Sequence, residues 1–140
     1  MKLSRILLSL VAIATIATSA VAAGDHKGHD HEGEGAKHAH DAKPRFGGVV
    51  SVVKDVNYEL VAKPDALALY VSDHDTPVDL KGATAKVTLL STAGKSEATL
   101  MPAGERLETK GSFNAAAGIK AVALVTLAGK KPASVRFTLK

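Results

Sequence analysis

The sequence contains no cysteine and no tryptophan, and its aromatic residues are two tyrosines and three phenylalanines among 140 residues. The absence of cysteine excludes disulfide bonds, thiolate metal sites, a cysteine nucleophile and a lipid anchor on cysteine. Hydrophobic residues make up 46% of the chain, which is enough for one folded domain. The core of that domain must consist of Val, Leu and Ala side chains with a few rings, and packing alone must stabilise it.

The chain also has little excess of either charge. It contains 18 Lys and Arg residues against 14 Asp and Glu residues, which gives a formal net charge of +4. Lys2 and Arg5 belong to a predicted export signal, and without them 16 basic residues face 14 acidic ones. Domains that bind nucleic acid usually show a basic face or stripe. The near balance of charge therefore predicts that the protein does not bind nucleic acid.

The N-terminal residues have the layout of a secretory signal peptide. Lys2 and Arg5 precede an apolar run over residues 6–16, and small residues follow as far as Ala23. A membrane anchor is the alternative, but this run is well short of the roughly 20 residues that span a bilayer. We predict a cleaved signal peptide over residues 1–22 and a mature protein that is periplasmic or secreted and not membrane-bound.

The position of cleavage stays open between Ala22 and Ala23, because both cuts leave small residues at the recognised positions. Cleavage after Ala23 creates the N-terminus Gly24-Asp25-His26. A free amine with histidine in third position can hold Cu(II) or Ni(II) in a square-planar set of nitrogen atoms. Cleavage after Ala22, which the Ala-x-Ala pattern slightly favours, moves His26 to fourth position and weakens that geometry.

Residues 24–41, which we call the histidine tail, contain five of the six histidines, interleaved with acidic residues and almost nothing apolar. Such a segment cannot bury enough surface to fold alone, so we predict that residues 23–45 are disordered. Imidazole and carboxylate groups together suit loosely bound Zn, Cu, Ni or Co ions. The alternative is a solvated linker whose histidines add only solubility. The predicted metal ligands are His26, His29, His31, His38 and His40.

The rest of the chain shows the period of two that is typical of half-buried strands. Val135, Phe137 and Leu139, for example, alternate with polar residues, and Gly- and Pro-containing turns separate such runs. Residues 46–140 are therefore predicted to form an all-β, immunoglobulin-like antiparallel β-sandwich of about seven to eight strands. The predicted core comprises Val50, Val52, Leu60, Leu67, Leu69, Val71, Val87, Leu89, Leu100, Phe113, Val125, Leu127, Val135 and Phe137.

Catalytic motifs are missing from this predicted domain. The sequence contains no nucleophile elbow, P-loop or dinucleotide-binding fingerprint, so we predict that the protein is not an enzyme. The one histidine of the domain, His74, lies between Asp73 and Asp75. A metal-linked role is an alternative for His74, but the surrounding turn chemistry favours a polar turn residue.

Four short runs of the domain form a recognisable set: Gly47-Gly48-Val49-Val50, Val56-Asn57-Tyr58-Glu59-Leu60-Val61, Leu69-Tyr70-Val71 with Asp73, and Val87-Thr88-Leu89. This set resembles a group of small exported bacterial proteins. That group in turn resembles the N-terminal β domain of periplasmic adaptor subunits of heavy-metal efflux systems of the cobalt–zinc–cadmium type, where a histidine-rich stretch precedes the Gly-Gly strand. The resemblance implies an immunoglobulin-like sandwich and a link to periplasmic metal handling, with no ligand set in the domain itself.

These features predict a non-enzymatic periplasmic protein that buffers or delivers divalent transition-metal ions through its histidine tail. Periplasmic efflux components are the expected protein partners. The alternative is a structural or protein-interaction module in which the histidines are incidental and an edge strand or sheet face contacts a partner. Deletion of residues 24–41 separates the two hypotheses, because it abolishes metal binding under the first and leaves partner binding intact under the second.

Overall fold

The computed structural model describes residues 42–140, and all regular structure in that range is β-strand. Within the described residues, no helix has the length and apolar character needed to cross a membrane. The predicted signal peptide and its cleavage position lie outside the described residues. The nine strands of residues 42–140 are β1 (Val49–Val53), β2 (Val56–Lys63), β3 (Ala66–Asp73), β4 (Thr76–Pro77), β5 (Thr84–Ser91), β6 (Gly94–Ala103), β7 (Arg106–Lys110), β8 (Lys120–Thr126) and β9 (Ala133–Thr138).

The strands form one continuous antiparallel path in the order β1-β2-β3-β7-β6-β5-β8-β9, and the short β4 pairs with β3. Strand β6 belongs to both halves of this path. Its first part pairs with β5 as far as Leu100, and its last three residues, from Met101 to Ala103, pair with β7. The end strands β1 and β9 also lie close to each other. The sheet is therefore nearly closed upon itself.

The prediction of an all-β antiparallel fold is confirmed. The arrangement differs from a sandwich of two separate sheets because β6 passes from one half of the path into the other. Alternation gives little indication of strand β7, since its sequence RLETK has a single strongly apolar residue. That residue, Leu107, is fully buried. The segment over residues 114–119, before β8, contains a turn at Ala117-Gly118 and no helix.

The interior contains large aliphatic side chains from both halves of the path. Leu60 and Leu69 come from the β1-β2-β3 side, whereas Val87, Val125 and Val135 come from the β5-β8-β9 side, and all five are at most 1% exposed. Eleven of the predicted core positions are buried, but Phe113 is only half-buried. Burying a side chain of this size contributes about 1.5–3 kcal/mol. Since the chain has no disulfide, this core is the principal source of stability.

Strand β1 corrects the predicted core. Val50 and Val52 were expected to face inward, but their pairing with β2 shows that they face outward. Val49 lies opposite the buried Leu60, and both Val49 and Val53 pack against the core. In VVSVV the apolar residues occupy both faces of the strand, so the alternation could not decide which face is buried. Val50 and Val52 consequently lie on the outer face of the sheet.

Two tight hairpin turns lie side by side where the strands of this part of the sheet end. Lys54 and Asp55 join β1 to β2, and His74 and Asp75 join β3 to β4. All four residues have positive φ angles, between 43° and 68°. A two-residue hairpin turn with positive φ at both positions is type I′, whose twist matches that of the flanking strands. Asparagine and glycine are the usual residues of such turns, so His74 and Asp75 occupy a strained backbone.

Candidate functional site

The segment over residues 42–48, which we call the root of the histidine tail, lies across the outer face of β1, β2 and β3. Its fixed point is the Glu59 side chain on β2. The backbone N–H of Arg45 donates to one carboxylate oxygen at 2.8 Å, and the N–H groups of Phe46 and Gly48 donate to the other, also at 2.8 Å. Glu59 thereby connects the root to a strand that follows it by 11 to 14 residues.

The Glu59 carboxylate is buried although it lies on the outer face of the sheet. The residue is 6% exposed, because the root covers it. Burial of a charge is unfavourable unless hydrogen bonds satisfy it, and three backbone donors do so here. Gly48 lets the root approach this closely, since a Cβ atom at that position would clash with the Leu60 carbonyl oxygen. The domain boundary predicted at residue 46 thus falls inside a segment held against the sheet.

An aromatic stack provides the second fixed point of the root. The rings of Phe46 and Tyr70 are parallel to within 7°, with their centroids 3.7 Å apart. Next to this stack, the Arg106 guanidinium donates to the Glu108 carboxylate. The pKa of Arg106 is raised above its ordinary value, first by Glu108 and then by Tyr70. Stacked aromatic pairs contribute about 0.5–1.5 kcal/mol beyond their buried area, so Phe46 stabilises the root although it is half exposed.

Arg45 connects the root to the β3–β4 turn. Its guanidinium donates to the Asp75 carbonyl oxygen at 3.0 Å and lies 3.4 Å from the Asp75 carboxylate. An exposed ion pair of this kind contributes at most about 1 kcal/mol. Its importance here is positional, because it brings the root beside the only histidine that the structure describes, His74.

A small cavity and a wider pocket flank the root. The cavity has a volume of about 60 Å³ and lies beneath the root, against Glu59 and Tyr70. The pocket has a volume of about 380 Å³ and lies at the hairpin edge of the sheet, where its lining includes Ala42, Asp55 and His74. We call the latter the edge pocket. Its lining combines charged side chains with apolar ones: Lys43, Arg45, Asp55 and Asp75 with Ala42, Pro44 and Val52.

His74 occupies the turn that the sequence predicted. Its side chain is 78% exposed, and its Nδ1 atom lies 2.6 Å from an Asp73 carboxylate oxygen. Among the described residues, no group of three His, Asp or Glu side chains is placed to hold a metal ion. The five predicted metal ligands, His26, His29, His31, His38 and His40, lie outside the described residues.

A second surface lies on the outer face of β5, β8 and β9. Lys86, Lys120 and Arg136 point outward there, together with the exposed Leu90 and Leu124. The strand register makes these residues neighbours, since Lys86 pairs with Leu124 and Leu90 pairs with Lys120. We call these five residues the basic sheet face. Alternation along the sequence of β9 predicted that Arg136 points outward, but the adjacency of the five residues follows only from the pairing of the strands.

Glu97 on β6 adjoins the basic sheet face. Its carboxylate lies 2.9 Å from the ammonium group of Lys86 and 3.0 Å from that of Lys95. These two hydrogen-bonded partners lower the pKa of Glu97 below its ordinary value. Four cations and one carboxylate therefore share this side of the sheet, which leaves it positively charged.

Comparison with known proteins identifies no relative: no protein-family model matches the chain, and no curated protein or solved structure matches it significantly.

Proposed function

We propose that the protein is a non-enzymatic metal-binding protein of the periplasm, in which the histidine tail binds Zn, Cu, Ni or Co ions. Five histidines interleaved with five carboxylates within residues 24–41 supply the ligands. The proposal includes the cleaved signal peptide and the exported location inferred from the sequence. It also includes delivery of ions to periplasmic efflux components, which the sequence resemblance suggests.

The observation that supports this proposal is the way the β domain holds the root of the tail. Glu59 accepts three backbone hydrogen bonds from the root, and Phe46 stacks on Tyr70. A solvated linker does not require such an attachment. A flexible chain can extend from a folded domain without hydrogen bonds to a buried carboxylate. The attachment holds residues 42–48, which directly follow the tail in the sequence, against the sheet. The domain then acts as a stable support for a metal-binding segment.

Calorimetric titration with Zn(II) tests the proposal on the untagged protein. A variant with all five tail histidines changed to glutamine preserves the length and the acidic residues of the tail. We expect micromolar or tighter binding in the original protein and a loss of at least tenfold in the variant, because imidazole is the principal ligand. Equal binding by both proteins would refute the assignment of these histidines.

The basic sheet face supports a second candidate function, that of an interaction module for an acidic protein surface. Two cations at this face, Lys86 and Lys95, pair with the carboxylate of Glu97, and Lys120 and Arg136 add further positive charge. Leu90 and Leu124 are 43% and 46% exposed. A partner of opposite charge with apolar contacts would complement this face. Like-charged partners would be repelled.

A glutamate-rich model peptide provides the probe for this second function. We expect it to shift amide resonances on β5, β8 and β9 at low salt. The double substitution Lys86→Glu and Lys120→Glu should remove the shifts, because it reverses two of the four charges. Shifts confined to other strands, or shifts that survive the double substitution, would contradict an interaction at this face.

A further inference from the structure

A pocket opens where the nearly closed sheet meets itself. The end strands β1 and β9 lie close together but are not neighbours in the hydrogen-bonded path of the described strands. The pocket lies at this seam, because Val53 ends β1, Ala133 begins β9, and both residues line it. We call it the seam pocket. Its volume of about 240 Å³ is below the roughly 300–1,000 Å³ of pockets for drug-sized ligands, so it suits a small molecule.

The walls of the seam pocket are mostly apolar. Val125 and Leu127, which face the core, form one side of it and are buried. Removal of apolar surface from water is favourable in proportion to its area, so these walls favour a ligand with an alkyl chain. The apolar lining residues are Val53, Val56, Val125, Leu127, Pro132 and Ala133.

The Tyr58 hydroxyl adds a hydrogen-bond donor to this apolar lining. The residue is 4% exposed, and burial raises the pKa of its hydroxyl, which therefore keeps its proton at neutral pH. Within residues 42–140 the hydroxyl has no hydrogen-bond partner, whereas every fully buried side-chain polar atom of that range has one. The hydroxyl is therefore not sealed in the core but is reached from the pocket that Tyr58 lines.

Three lysines give the seam pocket a positive charge. Lys54 comes from the β1–β2 turn, and Lys130 and Lys131 come from the loop between β8 and β9. All three are exposed, and none of them pairs with an acidic residue between 42 and 140. The described residues that line the pocket include no Asp or Glu. Cations without a counter-charge favour an anionic ligand.

We propose that the seam pocket binds a free fatty acid of short or medium chain length. The alkyl chain contacts the apolar walls, and the carboxylate is held by the lysines and the Tyr58 hydroxyl. A carboxylate accepts hydrogen bonds from ammonium and hydroxyl groups alike, and bonds to a charged acceptor are the stronger ones. This function goes beyond metal binding and does not depend on the histidine tail, because the lining residues lie between Val53 and Ala133.

Amide resonances of the full-length protein, titrated with sodium octanoate, test the proposal. We expect saturable shifts at the amides of Lys54, Tyr58 and Ala133. Octanol has the same chain without the charge, and acetate has the charge with almost no chain. Both should bind more weakly than octanoate by about tenfold or more, because each lacks one of the two interactions.

Two variants identify the groups that hold the carboxylate. The double substitution Lys130→Gln and Lys131→Gln alters only exposed side chains and should weaken octanoate binding by about tenfold. Tyr58→Phe keeps the ring and should also weaken it by about tenfold, because it removes a hydrogen bond to a charged group. The matched control is Lys63→Gln with Lys110→Gln, which removes two exposed lysines at the opposite end of β2 and should bind octanoate as the original protein does.

Several results would overturn the seam pocket as a fatty-acid site. One is the absence of saturable shifts, and another is the confinement of shifts to the basic sheet face. Equal affinity for octanoate and octanol, or unchanged affinity in the Lys130→Gln and Lys131→Gln protein, would show that the lysines do not bind the carboxylate. An equal loss of affinity in the control protein would show that net charge, rather than this pocket, attracts octanoate.

Discussion

The substitution Glu59→Gln tests whether one side chain holds the root of the histidine tail. In the original protein, one carboxylate oxygen accepts from Phe46 and Gly48, and the other accepts from Arg45. Glutamine can retain the first oxygen but places an amino group where the second was. The hydrogen bonds from Phe46 and Gly48 then have a neutral acceptor. The N–H group of Arg45 faces the amino group of the glutamine, so two donors meet and the third bond is lost.

The expected loss follows from the strength of these bonds. A hydrogen bond to a charged group contributes about 1.5–3 kcal/mol, whereas a neutral one contributes about 0.5–1.5 kcal/mol. The two bonds that become neutral should each lose about 1–1.5 kcal/mol and the third about 1.5–3 kcal/mol, so the substitution should lower the free energy of unfolding by about 3.5–6 kcal/mol, and by less where water reaches the released root. This is a large part of the roughly 5–15 kcal/mol that stabilises a typical domain.

Urea denaturation measures the free energy of unfolding, and amide hydrogen exchange measures protection at Arg45, Phe46 and Gly48. We expect both to fall in the Glu59→Gln protein. Asp65→Asn, in the exposed turn between β2 and β3, provides the control and should change neither. A Glu59→Gln protein with the stability and amide protection of the original would refute the role assigned to Glu59.

Three further predictions concern the domain itself. Burial raises the pKa of the Tyr58 hydroxyl, so the folded state keeps its proton above pH 10, where tyrosine in the unfolded chain loses it. The raised pKa stabilises the folded state below pH 10, and this contribution should diminish as the pH rises further. Tyr58→Phe should lessen the resulting decline in Tm. Identical profiles of Tm against pH for the two proteins would contradict this prediction. Gly48→Ala should destabilise the domain in urea denaturation, because its methyl group would meet the Leu60 backbone. Gly111→Ala should lower the free energy of unfolding by less, because its Cβ meets only the end of the Phe113 ring. A larger loss for Gly111→Ala than for Gly48→Ala would contradict the close approach of the root. Replacing Lys54-Asp55 by Asn-Gly should raise the free energy of unfolding by about 1 kcal/mol, since Lys54 and Asp55 have positive φ angles; a loss of stability would argue against a type I′ turn.

Much of the fold could be predicted from alternation alone. Residues such as Val135 and Phe137 recur at every second position, and the structure buries them. Alternation was insufficient where a strand was apolar on both faces, as in β1, or had a single large apolar residue, as in β7. The path of β6 through both halves of the sheet was also unpredictable, because it depends on pairing between distant strands.

The candidate site was less accessible to sequence-based prediction. A glutamate within an alternating strand is normally expected to face water, and nothing local indicates that Glu59 accepts bonds from residues 11 to 14 positions earlier. His74 was predicted correctly as a turn residue. Its position beside Asp55 and Ala42 follows only from the pairing of β1, β2 and β3, which no local pattern specifies.

The number of metal ions on the protein decides whether the five tail histidines are ligands. Native mass spectrometry with Zn(II) counts those ions on the original protein and on the variant whose five tail histidines are glutamine. We expect the original protein to retain at least one ion and the variant to lose most of this binding. Equal numbers of ions on both proteins, or none on either, would contradict it.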